Sequence, residues 1–435
     1  MKQILCKGKV ALQGTVRIQG SKNAALPVLA ATLMTDGKCY IRNCPKISDV
    51  YAMLQMLESL GCKVKWDQDG VVIDNQRLNC RKIDTKACSQ ACETRHKKSM
   101  SDNAFCSCMR SSICLLGALI GGEKEVILDH PGGCVIGARP IDLHLNALKK
   151  MGIDFEIKQD HIRAFHQGIY GTKIVLPFPS VGATENVIMA AARAAGITVV
   201  QGAAKEPEIV TLCEFLNQCG AKIRGAGTSA IEIEGVDKLG AIEYRVPADR
   251  IVAGTYLLAT AGCGGNVFLQ HAPALEMESV LKVAGEIGAC YEVSENGIYV
   301  QSDGCVKSIP TIKTKPYPGF PTDLQSIALA VLTIGDRQTR IEETVFENRF
   351  RVVDELRKMG ASIEKKDEKN VLVNGVNRLY GSSVEACELR GGAALVVAGL
   401  LAGGITRLRG VEFIERGYEN ICRDFKELGA RITSG

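Results

Sequence analysis

One phrase recurs six times along the chain, and it limits the possible folds more than any other feature. An amphipathic helical stretch ends at a glycine, and a short β-prone run follows at once. The copies are LESLGCKVKW, LKKMGIDFEI, LNQCGAKIRG, VAGEIGACYEV, LRKMGASIEK and FKELGARITS. Their glycines are Gly61, Gly152, Gly220, Gly288, Gly360 and Gly429. A residue just past a helix end often needs positive φ, which glycine adopts without steric cost. Ahead of each helix stands a second β-rich run: KCYIRNC, KEVILDH, ITVVQGA, GNVFLQH, QTRIEET and ITRLRGV. Each unit reads strand, connection, helix, glycine, strand. Six such units predict an α/β protein whose helices are buried against sheets.

The glycine spacings are 91, 68, 68, 72 and 69 residues. Only the first is out of line, so an insertion is expected between Gly61 and Gly152. Its expected place is Asn79–Cys108, a polar stretch without periodicity that holds Cys80, Cys88, Cys92, Cys106 and Cys108. Six units in 435 residues suggest two domains of three units each. The expected first domain is 22–247, with the insertion near 79–108. The second is 1–21 plus 248–435, with the passage between them near Arg245–Ala248.

Composition removes several classes of function. Hydrophobic residues make up 46% and charged residues 23%, which excludes a chain that is mainly disordered. The charge balance is 53 − 48 = +5 and is spread along the chain, which argues against nucleic acid and suits a small anionic substrate. The start, MKQILCKGKVALQG, lacks an apolar run followed by a cleavage site, so no signal peptide is expected. The longest apolar stretch, Ala393–Ala402, contains a glycine and is too short to span a bilayer, so no membrane insertion is expected. A cytoplasmic chain keeps its thiols reduced, and most of the 18 cysteines then serve as small hydrophobes. Nothing in the sequence sets an oligomeric state.

Eight segments follow one another in a telling order: GSKNAALPVLAA, PGGCVIGARPIDLHL, SVGATENVIMAA, VPADRIVAGTYL, PYPGFPTDLQ, ETVFENRF, ELRGGAALVVAG and IERGYENI. In wording and order they resemble the enolpyruvyl transferase superfamily, and within it the UDP-N-acetylglucosamine 1-carboxyvinyltransferases. The resemblance spans almost the whole chain. It implies a two-domain inside-out fold with three β/α units per domain around inward-facing helices. It implies transfer of the enolpyruvyl group of phosphoenolpyruvate to the 3′-hydroxyl of UDP-N-acetylglucosamine with release of phosphate. That reaction is the first committed step of peptidoglycan precursor synthesis and needs no metal or organic cofactor.

Such chemistry makes three demands. A hydroxyl must lose a proton, a methylene carbon must gain one, and several anionic groups must be held by cations. Cys134, in the glycine-rich PGGCVIG, is the candidate proton donor, because a thiol tuned by nearby cations can protonate carbon. By resemblance it also forms a phosphoenolpyruvate adduct and is alkylated by fosfomycin. Asp323, in PGFPTDLQ, is the candidate general base; a helix N-cap is the competing reading of the same residue. Lys22 and Asn23 open the first helix, a setting suited to an anion. Arg110, Arg139, Arg349, Arg390 and Arg416 supply further cations, since a guanidinium pairs well with planar carboxylate and phosphate. The resemblance assigns Arg139, Pro140, Ile141, Asp142 and Leu143 to uridine. It assigns Ser180, Val181 and Gly182 to the diphosphate side, and Val345 to a backbone contact with the sugar nucleotide. Lys22 and Arg416 are expected at the chemistry itself.

Two departures stand out. Glu388 occupies a position where the family usually has aspartate, one methylene shorter. The insertion holds Cys88, Cys92 and His96 at i, i+4, i+8, with Cys106 and Cys108 nearby; this is not the paired CxxC spacing of zinc sites, and a surface loop is the expectation. Two other functions stay open, the first favoured by these departures. One is a poorly catalytic sugar-nucleotide-binding paralogue; the other is transfer to shikimate 3-phosphate, which the PGGC loop and the uridine segment oppose.

Overall fold

The computed structural model describes residues 2–75, 82–83, 110–129 and 141–435. All six glycine-terminated units are present in it. The six helices end at glycines with φ between +86° (Gly429) and +110° (Gly288), the left-handed region the sequence called for. The run after each glycine is a strand: Lys63–Asp67, Ile153–Ile157, Lys222–Arg224, Cys290–Ser294, Ser362–Lys365 and Arg431–Ser434. The upstream runs are strands too, from Lys38–Arg42 to Ile405–Arg409.

These strands build six four-stranded sheets of one design. The upstream strand is central. A short strand pairs with it in parallel on one side, and an antiparallel hairpin completes the other side. In the sheet of Ile197–Gln201, for example, Lys173–Val175 is the parallel edge, while Ala230–Glu234 and Lys222–Arg224 form the antiparallel half. The last sheet lacks a strand of its own at the third place. The N-terminal strand Ile4–Lys7 fills it, with Ile4 opposite Leu408 on one side and Ser434 on the other. Likewise Leu12–Arg17 is the parallel edge for Gly265–Gln270, and Glu243–Arg245 for Lys38–Arg42. Just after each of these two strands the chain passes from one compact unit to the other. One unit comprises the described residues up to Gln19 together with Ala248–Gly435; the other lies between Gly20 and Pro247.

Each unit has its own hydrophobic core. At its centre stand three helices, each entered from a parallel edge strand. In the C-terminal unit these are Arg250–Cys263, Thr322–Leu332 and Leu389–Leu401, which pack on one another. Every residue of Leu389–Leu401 is buried. A helix that is apolar all round has no solvent face to betray it in the sequence pattern. In the other unit the corresponding helices are Lys22–Ala31, Cys114–Ile120 and Val181–Ala191. Close approach needs glycine here: a Cβ on Gly117 would stand 2.5 Å from the Asn186 carbonyl oxygen. The Gly117 amide also donates to the Asn186 side-chain oxygen at 2.8 Å, fixing the helix pair.

One boundary needs correction. Lys82–Ile83, inside the stretch expected as insertion, is the parallel edge strand beside Glu125–Asp129 and so belongs to the repeat. The surplus therefore falls after it, in the connection from edge strand to inward helix. The rest of that stretch, with Cys80, Cys88, Cys92, His96, Cys106 and Cys108, lies outside the described residues. Among the described residues no helix is long and apolar enough to cross a membrane, and no group of three or more His, Cys, Asp or Glu side chains could hold a metal ion.

Candidate active site

The inward helices begin where the edge strands end, and the predicted residues gather at those beginnings. Lys22 and Asn23 start Lys22–Ala31, Arg110 opens the turn before Cys114–Ile120, and Ser180–Gly182 lead into Val181–Ala191. Asp323 lies in the first turn of Thr322–Leu332 and Arg390 in that of Leu389–Leu401. Free backbone N–H groups and the helix dipole make such ends positive, which suits anionic ligands.

In the C-terminal unit Asp323 is the hub. Its Oδ1 accepts from Arg349 Nη2 at 2.5 Å and its Oδ2 from Arg390 Nη2 at 2.8 Å. The N-cap of its helix is Pro321, so the N-cap reading of Asp323 is not realised; the carboxylate points to cations instead. Both guanidiniums are buried, at 4% and 3% side-chain exposure, whereas the Asp323 side chain keeps 22%. Burial disfavours the charge on Arg390, but Asp323, with Tyr418 and Asp249, outweighs it and pushes the guanidinium pKa upward. Behind it, burial pushes the Tyr418 phenol up, and its hydroxyl lies 2.7 Å from Thr255 Oγ1. Arg349 Nε and Arg390 Nη1 are buried and lack hydrogen-bond partners among the described residues.

Glu388, the departure from the family pattern, caps its helix. Its Oε2 accepts from the Arg390 amide at 2.8 Å and its Oε1 from the Gly391 amide. Its Oε2 also lies 3.4 Å from Arg349 Nη1. The longer side chain thus reaches both the cap and the arginine. Val345 follows strand Gln338–Glu342, and its amide donates to Glu343 Oε1 at 2.8 Å. Arg416 is half-buried, on the turn between Val411–Ile414 and Ile421–Glu427.

The other unit holds a buried lysine. Lys22 is 9% exposed, so it is not a solvated surface lysine, and its Nζ pairs with Asp49 Oδ2 at 2.7 Å. Ser180 caps Val181–Ala191 through Ala183. Gly182 lets the His144 ring approach: a Cβ there would lie 2.8 Å from Cε1. His144 Nδ1 lies 3.1 Å from Asn186 Nδ2, an amide that can only donate, so Nδ1 is the acceptor. Ile141 and Leu143 are half-buried and Asp142 is exposed at the start of Asp142–Lys149. Cys134, Arg139 and Pro140 lie outside the described residues.

Sequence reasoning missed Asp49, Glu343, Tyr418 and Glu185. Asp49 lies in an amphipathic outer helix and the other three within quoted motif segments, but only their partners in the structure reveal a role for them. The expectation for ordinary cysteines is met. All twelve described cysteines are free and eight are buried; burial pushes Cys6, Cys62, Cys213, Cys219 and Cys263 up to about 12.

Comparison with known proteins decides the family. The model of the family described as EPSP synthase (3-phosphoshikimate 1-carboxyvinyltransferase) matches residues 6–425. The chain belongs to this enolpyruvyl transferase family. Among its relatives, UDP-N-acetylglucosamine 1-carboxyvinyltransferase 2 of Caldanaerobacter subterraneus is 43% identical, with 98% of each chain covered. UDP-N-acetylglucosamine 1-carboxyvinyltransferase of Clostridium botulinum is 42% identical, with 100% of each covered. The enolpyruvyl transferase NikO of Streptomyces tendae superposes with a TM-score of 0.83 at 19% identity, covering 100% of this chain and 99% of that one. EPSP synthase of Acinetobacter baumannii gives 0.71 at 17%, covering 100% of both. The fold is therefore the two-domain inside-out enolpyruvyl transferase fold, six repeated β/α units, three per domain.

Proposed function

We propose that this enolpyruvyl transferase moves the enolpyruvyl group of phosphoenolpyruvate to the 3′-hydroxyl of UDP-N-acetylglucosamine and releases phosphate, in the cytoplasm and without a metal or organic cofactor. The observation that carries the reading is the carboxylate of Asp323, in the first turn of an inward helix, clamped between two buried arginines: Arg390, in the first turn of a second inward helix, and Arg349, in the turn before Val352–Lys358. It joins a proton acceptor to the cations that a carboxylate- and phosphate-bearing substrate requires. The names of the full-length relatives support the acceptor.

In this reading Asp323 takes the proton of the 3′-hydroxyl as its oxygen bonds to C2 of phosphoenolpyruvate. Cys134 gives a proton to C3, and loss of phosphate with a proton from the new methyl restores the double bond. Lys22, Arg110, Arg349, Arg390 and Arg416 hold the anionic groups, with Asn23 beside Lys22. Arg139, Pro140, Ile141, Asp142 and Leu143 take the uridine, Ser180, Val181 and Gly182 the diphosphate side, and the Val345 carbonyl the sugar nucleotide. The two compact units serve as the two three-repeat domains, bounded near residues 22 and 248.

Phosphate release from phosphoenolpyruvate, measured with each acceptor, tests this. Release with UDP-N-acetylglucosamine and not with shikimate 3-phosphate is expected. Release only with shikimate 3-phosphate, or sugar-nucleotide binding without release, refutes the reading.

A further inference from the structure

The deepest carboxylate near the site belongs to Glu343, which the reaction does not use. It is fully buried. Its Oε1 accepts from Thr314 Oγ1 at 2.9 Å, from the Val345 amide at 2.8 Å and from the Phe346 amide at 3.1 Å. Its Oε2 accepts from Thr322 Oγ1 at 2.9 Å. Among the described residues its four donors are all neutral and come from three separate segments. Burying a charge costs several kcal/mol, so a carboxylate held only by neutral donors is an expensive way to tie loops together. A charged acceptor does, however, bond about twice as strongly as a neutral one and holds its donors in shorter, better-defined geometry.

What those donors hold explains the arrangement. Thr322 is the residue immediately before Asp323, and its helix has no side-chain N-cap at Pro321. Phe346 presents its ring to Arg349, whose guanidinium carbon is 5.2 Å from the ring centroid. Arg349 in turn binds Asp323 Oδ1. The contacts close a ring: Glu343 to Thr322, on to Asp323 through the chain, to Arg349, to Phe346, and back to Glu343. We propose that Glu343 is a positioning residue that sets the catalytic aspartate from two sides at once, through Thr322 on its backbone and through Phe346 and Arg349 on its carboxylate. This rests on the functional reading above, in which Asp323 is the base.

The side-chain chemistry predicts which substitutions matter. In Glu343→Gln the carbonyl can keep the three donors at Oε1, and the amide faces Thr322, whose hydroxyl can turn to accept. In Glu343→Ala all four ties are lost. The experiment measures kcat, KM and thermal midpoint of the full chain with phosphoenolpyruvate and UDP-N-acetylglucosamine. Glu343→Ala should lower kcat by about a hundredfold, the scale of an ~1 Å misplacement, with Glu343→Gln recovering most of it. Thr322→Val, which breaks one tie, should lower kcat by roughly tenfold. In an Asp323→Asn background each of these changes should cost little more, because their effect runs through Asp323. A merely structural role would lower the thermal midpoint but leave kcat per active site unchanged, or multiply with Asp323→Asn, and either result overturns the proposal. Should Glu343→Ala fail to fold, Thr322→Val and Glu343→Gln carry the same decision. A wild-type chain that releases no phosphate overturns the functional reading and the proposal with it; an active wild type beside unaffected variants overturns the proposal alone.

Discussion

Glu185 offers the sharpest test of the described geometry, because its burial has a calculable cost. It lies in Val181–Ala191, is 5% exposed, and its Oε2 accepts from the Cys114 thiol at 3.1 Å. Burial pushes its carboxyl up to about 8; the Cys114 bond opposes this, while Glu208 and Glu206 reinforce it. The sign follows from comparing the two states. Below about pH 4 the carboxyl is protonated folded and unfolded, and it costs nothing. As pH rises the unfolded chain ionises first, folding must take up a proton, and stability falls until the folded carboxyl ionises near pH 8. From about 4.3 to pH 7 is ~2.7 pH units, and at ~1.36 kcal/mol per unit the loss is on the order of 3–4 kcal/mol. Glu185→Gln removes it: the amide is neutral at every pH and still offers Cys114 a carbonyl. Trp66 is the one tryptophan of the chain and sits in the same compact unit, so its fluorescence reports that unit's unfolding. Urea titrations at several pH values should show the variant gaining over wild type as pH rises from 4 to 8. Parallel pH dependences for wild type and variant would refute the buried, protonated carboxyl.

Four further outcomes are expected. Glu388→Gln turns an NH₂ toward one of the two helix-start amides, leaving a buried N–H unsatisfied at about 1–3 kcal/mol, and urea unfolding together with kcat should both register it. Glu388→Asp keeps the cap and gives up only the 3.4 Å contact to Arg349, so turnover near wild type is expected. Gly117→Ala places a Cβ 2.5 Å from a backbone oxygen and should lower stability by about 1–3 kcal/mol on the same Trp66 signal. Asp323→Asn should cut kcat by roughly 10²–10⁴-fold while sugar-nucleotide binding, read by calorimetry, persists; lost binding with unchanged kcat would remove the base role.

How much of this was legible in the sequence depended on period. The amphipathic outer helices carry a 3.6-residue rhythm and a terminal glycine, so all six could be read, down to the sign of φ at Gly61 or Gly360. Periodicity does not reveal the inward helices, because a helix such as Leu389–Leu401 is buried along its whole length and has no rhythm to detect; the starts at Lys22 and Asp323 are legible only through their local motifs. Most edge strands escape for a related reason: two or three residues, as in Lys82–Ile83 or Ser383–Glu385, are too few to show alternation. That omission is why Lys82–Ile83 was counted with the insertion. At the site, residue types and motif resemblance pointed to Asp323, Arg349 and Arg390 one at a time. That they meet on a single carboxylate, 26 and 67 positions apart in sequence, is a property of helix starts brought together by packing.

The meeting itself bears on how the proposed base can act. Guanidinium groups bonded to a carboxylate favour its charged form and oppose proton uptake. Arg349 and Arg390 each occupy one oxygen of Asp323, so the arrangement that orients the aspartate also weakens it as a proton acceptor. Phosphoenolpyruvate brings a carboxylate and a phosphate, both of which compete for guanidinium donors. Arg349 Nη2 and Arg390 Nη2, the donors that hold Asp323, are the ones for which such anions would compete. Each bond that shifts from Asp323 to substrate lowers the opposition to proton transfer. In the proposed reaction the base therefore strengthens as the donor of the enolpyruvyl group binds, which couples the proton acceptor to the presence of the carbon centre that needs it.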